Sequence, residues 1–194
     1  MTQQTISEKL KKPESKTSAS TSGKIAILST YPPTECGIAS FAKSLESALV
    51  ANGLLVDVVR LSDSSADLQT NSVVANHSGK SAISQTVELL NQYGQVIIQH
   101  EFGIFDGEDG DEIVDIIDQL RVPTSVVLHT VLTEPTLRQR VILNFICAKA
   151  DALITMTQAG KAKLIANYDV DVSNIFVIGH GAREISNTAS SSEV

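Results

Sequence analysis

Tryptophan is absent from the 194 residues, and aromatic residues of every kind make up only 4%. A chain so poor in rings offers few platforms on which unpaired bases stack. Cysteine is scarce too. Cys36 and Cys147 stand far apart, with no CxxC partner and no histidine at metal-ligand spacing. That excludes a disulfide-built scaffold and a zinc module, predicts no metal, and points to a reduced, cytoplasmic protein. Long apolar runs are missing: none approaches the ~20 residues of a membrane span, so no integral membrane segment is expected. The N-terminus has neither the apolar stretch of a signal peptide nor the arginines of a mitochondrial transit sequence. Positive charge is in deficit, with 15 Lys and Arg against 22 Asp and Glu. The only basic cluster is Lys9, Lys11 and Lys12, in a segment that also carries Glu8 and Glu14. The sequence therefore predicts no nucleic-acid partner.

What is present is an ordinary globular composition, 42% hydrophobic and 19% charged, at a length suited to one well-cored domain. Residues 1–23, rich in Ser, Thr and Lys, are predicted to be a disordered tail, as are residues 183–194. Between them apolar runs alternate with helical periodicity. Strands are predicted at 24–31, 54–61, 96–101, 124–130, 152–157 and 175–181. Helices are predicted at 39–53, 81–94, 109–120, 134–150 (with Pro135 in its first turn) and 158–168. Residues 62–79 read as one polar loop with His77 solvated in it. Near-continuous apolar strands separated by helices predict a single α/β domain over 24–182, a Rossmann-like doubly wound parallel sheet.

Such sheets bind ligands beyond the carboxyl ends of their strands. In "VIIQHEFGIF", 96–105, an apolar run ends in His100 and Glu101, followed by an aromatic, glycine-containing loop. His129 and Thr130 end the next predicted strand, and His180 and Gly181 the last. Three of the four histidines thus fall on one rim, which favours a polar pocket over strand ends that merely surface. Gly37, between the first strand and first helix, suits close approach of a ligand phosphate to the backbone, although any such turn can require a glycine.

Other motifs fail. "SGKS", 78–81, lacks the P-loop glycine, because position 74 is Val74. "GHGARE", 179–184, has Glu184 where a dinucleotide fingerprint needs glycine. "DGEDGDE", 106–112, lacks EF-hand spacing and reads as a solvated helix start. Cys36 precedes a helix start, a position that can activate a thiol, but no histidine is assignable to it and a packed side chain is the plainer reading. Ser29 and Ser40 lack a GxSxG elbow.

As a set, four segments resemble retaining GT-B glycosyltransferases of glycosyltransferase family 4. They are "YPPTECGIASFAKSLESAL", "VIIQHEFGIFDGEDG", "LHTVLTEPTLRQRVIL" and "ADALITMTQAGKAKLIANYDVDVSNIFVIGHGA", in order over roughly 24–182. The resemblance implies the N-terminal, acceptor-side domain of such an enzyme. A second domain would bind the nucleotide-diphosphate sugar, and no cofactor or metal would be needed. It implies that Gly37 and Ile38 lie by the donor phosphate or transferred sugar. His100 would be the catalytic residue facing that sugar, with Glu101 and Phe102 beside it. His129 would form cleft wall, and His180 and Gly181 the crossing to the second domain. The family's closing IPHGV is here "IGHGA", with Gly179 and Ala182. Three readings follow. The first is half of a hexosyltransferase acting on a hydroxyl acceptor, inactive without its donor-binding domain, which predicts an apolar docking patch. The second is a stand-alone, non-catalytic sugar- or nucleotide-binding module, which predicts a well-solvated rim. The third is an unrelated doubly wound domain of flavodoxin type.

Overall fold

The computed structural model describes residues 23–62 and 72–181. The tails predicted to be disordered lie almost entirely outside these residues, as does part of the loop after the second strand.

Among the described residues there are seven strands, all parallel and in one sheet. In chain order they are β1 (Lys24–Ser29), β2 (Leu55–Leu61), β3 (Val73–His77), β4 (Gln95–His100), β5 (Thr124–Leu128), β6 (Ala152–Thr155) and β7 (Ile175–Val177). Five helices accompany them: α1 (Gly37–Ala51), α2 (Ile83–Leu90), α3 (Glu112–Asp118), α4 (Leu137–Lys149) and α5 (Gln158–Asn167). The spatial order is β3-β2-β1-β4-β5-β6-β7, so the order reverses between β1 and β4. The expected Rossmann-like doubly wound fold is therefore the fold observed. No helix among the described residues is long and apolar enough to cross a membrane.

Side chains alternate between two faces. Leu28, Ile98, Val126, Leu153 and Ile175 share one face, where they join the main core with α2, α3, α4 and α5 residues such as Val87, Ile113, Phe145 and Leu164. Ile27, Ile97, Val127, Ile154 and Phe176 share the other. There α1 lies against β1 and β2, and Ile27, Tyr31, Ala42, Val56, Val58 and Val73 form a second, smaller core.

Three expectations need correction. The stretch taken as loop contains β3, a seventh strand at the sheet edge. His77 is its last residue and is 2% exposed, not solvated. Its Nδ1 lies 2.8 Å from Thr86 Oγ1 and its Nε2 lies 3.2 Å from Glu112 Oε1, both partners also buried. A histidine joined to a buried hydroxyl and a buried carboxylate is part of the packing between β3, α2 and α3. Finally, α4 starts later than predicted. Thr136 is its N-cap, in a reciprocal capping box with Gln139, and Pro135 precedes the helix rather than forming its first turn.

Candidate functional site

Because every strand is parallel, all carboxyl ends face one rim, and the order reversal puts the crevice between β1 and β4. On the β1 side Cys36 caps α1, its sulfur accepting from the Ala39 amide at 3.3 Å and lying 3.3 Å from Thr30 Oγ1. A capping role accounts for Cys36 without nucleophilic chemistry. Buried Cys147, pushed up to about 12 chiefly by burial, stays a neutral thiol. Gly37 opens α1 and is exposed, and a Cβ built on it meets nothing within 4 Å. The packing of the described residues thus does not require glycine at this position, and the space in front of it is open. Ile38 beside it is half-buried.

On the β4 side His100 is 1% exposed, flanked by Phe102 at 5.1 Å edge-on and by Phe105 at 6.4 Å stacked. Neither ring nitrogen has a hydrogen-bond partner among the described residues. Burial, and to a smaller degree nearby His129, pulls its pKa down to about 3, so it is neutral at physiological pH. Phe102 is buried in the main core. Half-buried Glu101 accepts the Gly103 amide at 2.7 Å, which folds the loop back on itself. Gly110 holds the far end of that loop. Its φ is +70°, and a Cβ there would stand 2.5 Å from the Phe102 carbonyl oxygen. The acidic residues that follow are engaged within the chain: Glu108 pairs with Arg138 at 2.7 Å, and Asp109 accepts from Gln139 at 3.0 Å.

His129, one residue past β5, is half-buried, and its Nε2 lies 2.7 Å from Gln99 Oε1. Burial first, then His180, lowers its pKa, while Glu101 opposes the shift. Phe41 of α1 stands between His129 and His180, 5.1 Å from each ring. His180 and Gly181 are exposed, three and four residues beyond β7. The rim therefore gathers His100, Glu101, His129 and His180 into mutual influence, with Gly37 and Ile38 at the adjoining helix start. Phe102 is brought there as packing.

Sequence pattern missed two features. Gln99, 0% exposed, fixes His129 from the neighbouring strand, and its own amide nitrogen lacks a partner among the described residues. The register alternation of β4 and β5 is the only signal for it. A cleft of about 220 Å³ also opens over the ends of β5 and β6, bordered by His129, Thr155, Thr157, Gly160 and Lys163. "TMTQAGKAK" carries no motif that announces it.

No protein-family model matches the chain, and no curated protein matches it. Solved structures do. An alpha-glucosyltransferase in complex with UDP and a 13-mer DNA containing an HMU base superposes with a TM-score of 0.58 at 18% identity, over 80% of this chain and 42% of that chain. Alpha-glucosyltransferase in complex with UDP gives 0.54 at 18%, over 74% and 37%. A complex with UDP and DNA containing a central A:G mismatch gives 0.53 at 17%, over 70% and 37%. This chain spans about two-fifths of the length of these proteins. At such identities the likeness establishes the fold: a Rossmann-like sheet matching part of a GT-B glycosyltransferase.

It also corrects the exclusion of nucleic acid. Two of these neighbours were solved with DNA, so proteins that share part of this fold do take such a partner and the exclusion does not stand. Net charge sums over every face of a molecule, whereas nucleic-acid contact needs only one local surface.

Proposed function

We propose that the chain is the acceptor-side half of a retaining glycosyltransferase, moving a hexose from a nucleotide-diphosphate sugar to a hydroxyl acceptor. The observation that carries this reading is the fold shared with UDP-bound alpha-glucosyltransferases. Added support comes from the unencumbered glycine at the start of α1, at the crevice where doubly wound sheets bind ligands. Gly37 and Ile38 present helix N–H groups to the donor phosphate. His100, neutral and without a hydrogen-bond partner among the described residues, supplies a hydrogen bond to the transferred sugar, beside Glu101 and Phe102. His129 forms cleft wall, and His180 with Gly181 leads toward the donor-binding domain. The domain proper is 24–182.

The reading assigns the groups that neutralise the leaving diphosphate to that second domain, so this chain by itself is a poor catalyst. Phe176 and Ile178, 51% and 57% exposed beside His180, favour this over a stand-alone binding module, whose rim should be well solvated.

Titration of the full chain with UDP, followed by amide NMR, tests the donor side. Shifts concentrated at Gly37, Ile38 and Glu101–Gly103, with weak, roughly millimolar affinity, are expected from a site holding half its contacts. Shifts scattered over the surface, or none at millimolar UDP, would remove the donor-facing rim.

A further inference from the structure

The cleft over β5 and β6 has a composition unlike that of the chain around it. In a protein with 22 carboxylates against 15 lysines and arginines, no Asp or Glu among the described residues borders it. Lys163 does, and its ammonium makes no hydrogen bond or ion pair with the described residues. Apolar Leu128 and Val131 supply part of the wall. At about 220 Å³ the space falls below the ~300 Å³ at which pockets for drug-sized ligands begin, and suits a small headgroup.

Two polar features complete it. Thr157 caps α5 by accepting the Gly160 amide at 2.9 Å. The Gln158 and Ala159 amides, ahead of the first intrahelical bond, have no acceptor among the described residues and lie at the positive end of the helix. On the opposite side His129 is held by Gln99, a fully buried side chain behind the cleft wall. With Nε2 tied to Gln99 Oε1, the neutral ring keeps Nδ1 as its remaining hydrogen-bonding atom, a lone pair suited to a hydroxyl donor. Lys163, the first turn of α5 and His129 thus border one small cleft.

We propose that this cleft is the acceptor subsite and takes a hydroxylated phosphate monoester. The phosphate lies against Lys163 and the first turn of α5, and a hydroxyl against His129. This rests on the transferase reading for the word acceptor, but the site stands on its own geometry.

The test uses the full chain and glycerol 3-phosphate, read by amide NMR and calorimetry, with glycerol, inorganic phosphate and a short single-stranded oligonucleotide as comparisons. Glycerol 3-phosphate should shift the amides of Gln158, Ala159 and Gly160, and bind more tightly than inorganic phosphate; glycerol should produce no shift. Lys163→Met should weaken binding roughly tenfold or more, the size of one charged hydrogen bond, and Lys163→Arg should retain most of it. Lys163 is exposed, so both variants should fold. Unchanged affinity in Lys163→Met, or equal shifts with glycerol, overturns the anion site. Inorganic phosphate binding as tightly as the ester overturns the hydroxyl contact. An oligonucleotide that outcompetes the ester overturns the small-molecule assignment in favour of a nucleic-acid surface. Failure of UDP to shift Gly37 and Ile38 strikes the donor reading alone, because those residues lie in a different βα loop.

Discussion

A single side chain shows how a site residue differs from its appearance in sequence. The polar end of an apolar run pointed to His100, but only the packing shows it buried and flanked by two phenylalanines. Its folded pKa, about 3, lies below the ~6.5 of an unfolded histidine. Between those values the unfolded chain binds the proton more readily. Stability should therefore be level above pH 6.5 and fall as pH drops toward 3, by up to about 1.4 kcal/mol per pH unit from this group. His129, shifted the same way, adds to the slope. Urea denaturation of the chain and of His100→Leu at several pH values between 7.5 and 4.5 measures it. The variant should show a shallower dependence by about one proton, and an identical slope would mean His100 titrates normally. His77 shows the opposite limit of the sequence. Its polar neighbours suggested solvent, because Thr86 and Glu112, the groups that bury it, lie in other elements that no local pattern connects to it.

Elements were legible where periodicity and end signals agreed. The spacing of Phe41, Leu45, Ala48 and Leu49 marked α1, and Thr136 with Gln139 is a capping-box signature that settles the start of α4 better than Pro135 does. That cap should matter measurably. Thr136→Ala removes the acceptor for the Gln139 amide at 3.1 Å and should lower stability by about 1 kcal/mol in urea denaturation. Thr136→Ser should cost much less, because it keeps the oxygen. If the two behaved alike, the hydroxyl would not be what caps the start of the helix. β3 escaped notice because "VVANH" has only two large apolar residues and sits at an edge, where one flank of the strand has no strand partner among the described residues to demand a hydrophobic pattern. The cleft at α5 escaped for a different reason: its polar groups come from β5, β6 and α5, and only the sheet brings them together.

Across the whole molecule the two faces of the sheet are unequally covered. Parallel sheets are normally buried on both sides. Here four helices pack on the main-core face, while α1 lies over β1 and β2 on the other. On that second face the side chains toward the β7 edge grow progressively barer, from Val127 at 3% exposure through half-buried Ile154 to Phe176 at 51%. Ile178 continues the same alternation at 57%. This gradient is invisible in sequence, since an exposed Phe176 and a buried one are written identically. If nothing in this chain covers that edge, Phe176→Ser with Ile178→Ser should leave stability within about 0.5 kcal/mol, as exposed substitutions do. Binding of a hydrophobic dye to the native chain should fall at the same time. A stability loss of about 2 kcal/mol or more would instead mean that a segment of this same chain outside the described residues packs there, since only burial makes such truncations expensive. The first outcome leaves an apolar surface next to His180 and Gly181, where the transferase reading puts the donor-binding domain. The second assigns that surface to the chain's own fold and leaves the transferase reading to rest on the rim alone.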